Sequence, residues 1–307
     1  MTLPEALSAV RPLGSTVVTV GTFDGVHLGH RQLIGATTRQ ARLIEATSVA
    51  LTFRRRPAEV LRPDLPSVYL CSLEERCLRL RDAGIDSVIV VEFTPDMAQL
   101  SAEDFTRTLV DNVGMRELVG GPDLALGHRR EGTVSVLRDI GSRLRFSVTQ
   151  VPELLVDGEP VRTSAVRRAL EAGNVSRIDR ILGRRYSVGG KVVRGDGRGR
   201  IIGVPTANVA VDETLALPSN GVYAVFFHVG GSRWPGAGNL GLRPTFDQKT
   251  RSLEIHLLDF EGDLYGQMVT VEFVERLRPE ARFGGVAELV AQIGRDIQGA
   301  REVLARP

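Results

Sequence analysis

The spacing of apolar residues changes character once along the chain, near residue 184, and that change limits the fold more than any other feature. Before it, short β-branched runs alternate with stretches of helical spacing. The runs 17–21, 48–53, 87–92, 117–120 and 145–151 are predicted strands, and 28–45, 73–83, a segment opening at Ser101 and 133–143 are predicted helices. Ser72-Leu73-Glu74-Glu75 is a capping box, and Ser101-Ala102-Glu103-Asp104 starts a helix in the same way. Strands alternating with helices imply a parallel sheet covered on both faces, with its ligand site at the strand C-termini, which places residues 21–30 at that site.

Beyond residue 184 the strands follow one another directly. The runs 186–194, 206–211, 222–229, 234–240, 253–258 and 268–273 are separated by Gly- and Pro-bearing turns, as in an antiparallel barrel, and a last helix spans 286–305. A helical stretch reaching Ala172 and closed by Gly173 precedes Leu182-Gly183-Arg184-Arg185, where the boundary is placed. The chain of 307 residues is long enough for two cores, divided as 1–184 and 185–307.

Composition narrows the function. With 42% hydrophobic and 25% charged residues the chain reads as an ordinary soluble globular protein. A net charge of +2 does not describe a protein held to nucleic acid by bulk electrostatics. The two cysteines, Cys71 and Cys77, match neither a zinc pair nor a redox motif. Residues 1–10 carry Glu5 and lack the basic head and apolar run of a signal peptide, and no apolar stretch approaches the roughly 20 residues of a membrane helix. A cytoplasmic protein without a membrane partner is expected, its oligomeric state open.

Two stretches carry chemistry. The first is Gly197-Arg198-Gly199-Arg200-Ile201-Ile202-Gly203-Val204-Pro205-Thr206-Ala207-Asn208. Glycines let main-chain N–H groups approach an anion and the arginines add charge, which suits a phosphate; a plain hairpin turn is the other reading. It is neither a Walker loop nor a dinucleotide fingerprint, since no Gly-Lys-Ser/Thr and no helical pattern follows. The second is Thr22-Phe23-Asp24-Gly25-Val26-His27-Leu28-Gly29-His30. If the helix begins near Val26, His27 and His30 project from one face beside N-terminal N–H groups and could hold a phosphate; a pair of partly exposed capping or packing histidines is the alternative.

The first stretch resembles the signature of riboflavin kinase. Gly221-Val222-Tyr223, Asn239-Leu240-Gly241, Pro244-Thr245-Phe246, Glu254, Leu258-Asp259-Phe260 and Asp263-Leu264-Tyr265-Gly266 follow in that family's order. The second resembles the His-x-Gly-His motif of nucleotidyltransferases in the form found in bacterial FAD synthetase, whose two modules come in the order seen here. The resemblance spans about residues 17–305 and implies a Rossmann-like nucleotidyltransferase domain followed by a six-stranded Greek-key barrel and a C-terminal helix.

The resemblance also implies substrates and roles. The substrates would be riboflavin, FMN and ATP, with Mg²⁺ as cofactor. Thr206 would ligate the metal, Asn208 would hold metal, phosphate and flavin geometry, and Glu254 would take the proton of the riboflavin 5′-hydroxyl. Gly197, Arg200, Gly203 and Pro205 would cradle one nucleotide. His27 and His30 would be catalytic in the other module, with Gly21, Phe23, Asp24, Gly29, Ser164 and Arg167 at its nucleotide and Asp123 at its flavin; Arg278 is a further implied flavin contact. Without the resemblance, Glu254 reads as an outward strand residue. His256, two residues on and facing the same side, shapes the pocket or packs structurally.

Three stretches depart from the family pattern. Phe53-Arg54-Arg55-Arg56-Pro57 puts Arg56 where a histidine is usual, and two readings stand: a solvated basic loop or a substitute grip on ATP phosphates. Gly121-Pro122-Asp123-Leu124-Ala125-Leu126-Gly127 has leucine at both aromatic positions, which loses any ring stacking on a flavin, about 0.5–1.5 kcal/mol. Arg162-Thr163-Ser164-Ala165-Val166-Arg167 has an arginine for the first of three hydroxyl residues, and its hydroxyls read either as phosphate ligands or as a simple helix cap. The expected function is riboflavin phosphorylation to FMN and FMN adenylylation to FAD. A kinase with a degenerate N-terminal module and a non-catalytic flavin-binding protein are the alternatives.

Overall fold

The computed structural model describes residues 3, 7, 13–64, 67–195, 197, 199, 202–244 and 249–306. They form two compact units, Met1–Thr163 and Ser164–Pro307.

In the first unit the elements run β1 (Thr16–Val20), α1 (Leu28–Leu43), β2 (Thr47–Phe53), a short α2 (Pro57–Leu61), α3 (Leu73–Asp82), β3 (Ser87–Val91), α4 (Ala102–Val113), β4 (Met115–Gly120), a small hairpin of β5 (Ala125–Leu126) and β6 (Gly132–Thr133), α5 (Val134–Leu144), β7 (Ser147–Gln150), and a second small hairpin of β8 (Leu155–Val156) and β9 (Glu159–Pro160). The five main strands pair in parallel in the order β3-β2-β1-β4-β7. The strand order reverses at β1, so the loops leaving β1 and β4 open beside each other, where a doubly wound sheet binds its ligand.

The sheet is apolar on both faces, as a parallel sheet must be. Val18, Leu51, Leu109, Met115, Leu118 and Leu137 are fully buried in the main core, and Val17, Val119 and Ala41 lie in a separate cluster. Both expected caps form: the Ser72 and Ser101 hydroxyls accept the amides of Glu75 and Asp104 at 3.1 and 3.0 Å. The two hairpins and α2 fell below what apolar spacing reveals, since each is only two to five residues long.

The second unit comprises α6 (Thr163–Glu171, whose first residue falls in the other unit), α7 (Val175–Leu182), six strands and α8 (Val286–Leu304). Strands β10 (Tyr186–Val193), β11 (Ala207–Val211), β12 (Gly221–Val229), β13 (Ser232–Pro244), β14 (Lys249–Leu257) and β15 (Met268–Arg278) close into a barrel in the order β10-β11-β14-β13-β12-β15. The β12–β13 hairpin lies between β11 and β14 in sequence but not in space, which is the Greek-key crossing.

The units divide 21 residues before the boundary expected at 184. The reason is hydrogen bonding that apolar spacing does not display: the Ser219 amide donates to the Leu170 carbonyl at 2.9 Å, Arg276 reaches the Ala172 carbonyl at 3.4 Å, and the Tyr186 amide donates to Asp179 Oδ1 at 3.2 Å. These bonds fasten α6 and α7 to the barrel.

Inside the barrel, Tyr223, Val225, Phe227, Ile255, Val271 and Phe273 are fully buried. On its outside, α8 sits on small residues: Ala300, fully buried, meets Ala224 and Ala237, with Val303 beside them. That contact leaves no room for a larger side chain. Ala300→Leu is therefore expected to destabilise the barrel unit by about 1–3 kcal/mol, read as a lowered urea midpoint at unchanged slope.

Candidate active sites

The first site forms where β1 ends. The Gly21 amide donates to the Leu51 carbonyl at 3.1 Å, and the turn that follows carries two non-glycine residues at positive φ, Phe23 at 52° and Val26 at 41°. A β-branched residue there is strained, and such strain persists only where surrounding bonds over-determine it. Two bonds do so: the Leu70 amide donates to Asp24 Oδ1 at 2.8 Å and the Gly25 amide to Cys71 Sγ at 3.3 Å. Burial pushes the Cys71 thiol up to about 11, so it acts as a neutral acceptor and not as a nucleophile.

Positive φ at Val26 excludes a helix start at that residue and leaves the start where apolar spacing put it. α1 begins at Leu28, and His27 is its N-cap, extended at φ −71° and ψ 171°, with Nδ1 accepting the His30 amide at 3.2 Å. A neutral His27 bonded in this way keeps its proton on Nε2. The His27 and His30 rings stack with centroids 3.6 Å apart and planes 14° apart. Phe23 supports His30 edge-on at 5.3 Å.

Phe23 and Asp24, at 1% and 2% exposure, thus lie beneath the histidines and hold the turn rather than lining its surface. A Cβ at Gly21 would lie 3.2 Å from the Phe23 ring, and at Gly29 it would lie 3.1 Å from the Val161 carbonyl oxygen, each a tight approach that glycine avoids. His30 Nδ1 is buried without a hydrogen-bond partner. Burial first, then His27 and the Arg76 cation, hold His30 well below the ordinary imidazole value.

The departures from the family pattern have structural explanations. Arg54 and Arg55 are largely exposed, but Arg56 is not part of a solvated loop: its Nε binds Glu59 Oε1, and its guanidinium lies 5.1 Å from the Tyr69 ring centroid. Glu59 is buried and also accepts the Tyr69 hydroxyl at 2.5 Å; burial raises its pKa, but the bonds from Tyr69 and Arg56 outweigh that and leave it lowered. Arg162 donates to Glu153 Oε1 at 2.7 Å. Leu124 and Leu126 pack against the main core.

After β4, Asp123 helps line a cavity of about 390 Å³ with Leu124, Arg130, Thr133 and Gln150, and its carbonyl accepts Arg130 Nη2 at 2.7 Å. Ser164 and Arg167 stand in the first turns of α6, in the second unit.

The second site lies on the outer face of the barrel. Register sets Asn208 of β11 and Asn239 of β13 on either side of Glu254 of β14. Since residues paired across neighbouring strands share a face, all three side chains leave the same side. Leu253 and Ile255 point the other way, into the core, at 2% and 0% exposure. The Thr206 hydroxyl donates to Glu254 Oε2 at 3.4 Å. The Pro205 carbonyl accepts His256 Nδ1 at 2.9 Å, so His256 tethers the segment that carries Thr206.

Gly195 leaves space that the Asn208 carboxamide occupies, since a Cβ there would lie 2.3 Å from its Nδ2. Gly197 and Gly203 adopt φ of 71° and 79°, and the Val204 amide closes the turn on the Gly199 carbonyl at 2.8 Å. Arg200, Thr245 and Phe246 lie outside the described residues. Arg278 is engaged by the buried Asp296 of α8, with Nη2 to Oδ2 at 2.7 Å and Nε to Oδ1 at 2.9 Å, and so pins that helix to β15.

Sequence reasoning assigned no role to Asn239, although it read the motif that contains it; only strand register places it beside Glu254. Arg76 and Glu59 were missed because charged residues on helices ordinarily face water, and Tyr69 because it lies outside any periodic element.

The N-terminal half matches the family model described as FAD synthetase over residues 11–165, and the C-terminal half matches that described as riboflavin kinase over residues 182–304. The chain is 36% identical over 293 residues to the bifunctional riboflavin kinase/FMN adenylyltransferase of Escherichia coli (strain K12), covering 95% of this chain and 93% of that one. It belongs to the bifunctional riboflavin kinase/FMN adenylyltransferase family.

The family member from Pseudomonas fluorescens is 35% identical over 309 residues, covering 99% and 98% of the two chains. Among solved structures, the crystal structure of a macrolide-efflux protein from Streptococcus pneumoniae covers 96% of both chains at 28% identity and a TM-score of 0.90. That name describes that protein; among the described residues here, no helix is long and apolar enough to cross a membrane.

The lowered His30 pKa has a consequence for stability. Below about pH 6.5 the unfolded chain takes up a proton on this imidazole that the folded chain refuses, so stability falls as pH drops through that value. The urea midpoint of the N-terminal unit should fall between pH 7.5 and 5.5, and His30→Gln should flatten that dependence.

Proposed function

We propose that the chain carries out both reactions of its family, with the second unit making FMN from riboflavin and the first making FAD from FMN. The observation that carries the reading is the convergence of Thr206 on Glu254, with Asn208 beside it in the same row.

In the kinase reaction the riboflavin 5′-hydroxyl oxygen bonds to the γ-phosphorus of ATP as the bond to ADP breaks. Glu254, in hydrogen-bond contact with the segment that meets the nucleotide, accepts the hydroxyl proton. Phosphoryl transfer asks chiefly for positioning and charge neutralisation. The His256 tether and the closed turn at Gly199 hold Thr206 in place for both.

A hydroxyl, a carboxamide and a carboxylate on neighbouring positions are hard oxygen donors, the set that suits Mg²⁺. Among the described residues no group of three or more His, Cys, Asp or Glu could hold a metal, which fits an ion held by one or two protein oxygens and completed by phosphates. Thr206 and Asn208 would hold it, and when bound it neutralises phosphate charge.

In the adenylyltransferase reaction a phosphate oxygen of FMN bonds to the α-phosphorus of a second ATP as pyrophosphate leaves. His27, with its proton on Nε2, and the neutral His30 stand at the first turn of a 16-residue helix, where donors and the helix dipole favour the phosphate chain. The turn lined by Gly21 and Gly29, held from below by Phe23 and Asp24, keeps the rings stacked. Ser164 and Arg167 are assigned to the nucleotide and Asp123 to the flavin. Gly197, Arg200, Gly203 and Pro205 are assigned to the kinase nucleotide, in a cytoplasmic enzyme. For Arg278, the pair with Asp296 favours a role in seating α8 over direct flavin contact.

The reading is tested by separating the activities. Glu254→Gln should lower FMN formation at least about 100-fold while FMN is still converted to FAD, and His27→Ala should do the reverse. Loss of both activities in either folded variant would contradict the two-site assignment.

A further inference from the structure

A buried cation stands on α3, just after the Leu70–Cys71 segment that holds the histidine-bearing turn. Arg76 of α3 is 1% exposed, its Nη1 donates to the Phe53 carbonyl at the end of β2 at 2.8 Å, and its guanidinium lies 5.5 Å from the Tyr69 ring centroid. Its Nε is buried without a hydrogen-bond partner. Among the described residues no carboxylate lies within ion-pair distance of it. Arg56, whose guanidinium also contacts the Tyr69 ring, differs in this respect, because Glu59 pairs with it.

An unpaired buried charge is costly, and a buried arginine is ordinarily matched by a carboxylate. Two observations direct this one toward the first site. Arg76 follows the segment whose Leu70 amide and Cys71 thiol hold the turn at Asp24 and Gly25, where its charge also lowers the proton affinity of His30. His30 Nδ1 is likewise buried without a partner. The family's usual histidine is absent at Arg56, and that arginine is already engaged by Glu59, whereas Arg76 has no carboxylate partner among the described residues.

We propose that Arg76 is a positioning residue for adenylyl transfer, its buried charge balanced by the triphosphate of the ATP that binds beside His27 and His30. The inference rests on the adenylyltransferase reading above. The charge acts through the protein interior, where it is screened less than in water, on the α-phosphate that accepts the FMN oxygen and on the departing pyrophosphate. Arg76 stays in the interior and does not itself touch the nucleotide.

The test compares Arg76→Met with Arg76→Lys in the full chain, with riboflavin phosphorylation and circular dichroism as controls for folding. In Arg76→Met, kcat/KM for ATP in FAD formation should fall by about 30-fold or more, KM for FMN should stay within about threefold, and the His30 imidazole resonance should titrate at higher pH. In Arg76→Lys, which keeps the charge but not the planar guanidinium, kcat/KM for ATP should stay within about fivefold of the unsubstituted protein. An Arg76→Met protein with unchanged ATP kinetics and an unshifted His30 titration overturns the proposal. So does an Arg76→Lys protein as impaired as Arg76→Met, because the bond to Phe53 and not the charge would then matter. Where Arg76→Met does not fold, Arg76→Lys decides alone: a loss of about 30-fold overturns, and near-normal ATP kinetics support. Failure of the unsubstituted protein to form FAD would instead contradict the adenylyltransferase reading, and the His30 titration would still decide on Arg76.

Discussion

Register across three barrel strands is the constraint on which the proposed kinase site depends. Because β14 pairs with β11 on one side and β13 on the other, Glu254 is fixed between Asn208 and Asn239, and a slip of one residue in either pairing would turn a site residue into the core. The alternation that buries Leu253 and Ile255 is what turns Glu254 outward. Core packing and chemistry are therefore specified by the same pattern, and the apolar face anchors the polar one. The Greek-key crossing matters for the same reason: it brings β11, which follows the glycine-rich turn, against β14, which carries the acid.

The first site rests on a different principle. Its histidines are aimed by a turn that two non-glycine residues, Phe23 and Val26, would not adopt alone. Bonds from the distant Leu70 amide to Asp24, and from the Gly25 amide to Cys71, hold it. The cost of the strained backbone, on the order of 1–3 kcal/mol per residue, is offset by surrounding structure, and the return is a histidine cap whose tautomer and orientation are set before any ligand arrives. Around it the charges are arranged asymmetrically, with Arg56 matched by Glu59 and Arg76 unmatched.

Much of this was legible in the sequence. Capping serines marked α3 and α4, β-branched runs marked the parallel strands, and the six barrel strands were found because Gly- and Pro-bearing turns separate them. Thr206, Asn208 and Glu254 were singled out and do lie together. What escaped notice depends on long-range contacts or on backbone angles. The spacing of His27 and His30 gave no sign that Val26 has positive φ and that His27 is the N-cap, and nothing local to residues 163–182 shows that their partners are Ser219 and Arg276. Arg76 looks like any charged residue of an exposed helix until its burial is seen.

One chain is proposed to hold two successive chemistries, a phosphoryl transfer on the barrel and a nucleotidyl transfer at the first turn of α1. A time course of the unsubstituted protein with riboflavin, ATP and Mg²⁺, resolving flavins and nucleotides together, tests this most directly. FMN and ADP should rise first, followed by FAD with one pyrophosphate released for each FAD formed. Riboflavin left unphosphorylated, or FMN accumulating with no pyrophosphate, would contradict it.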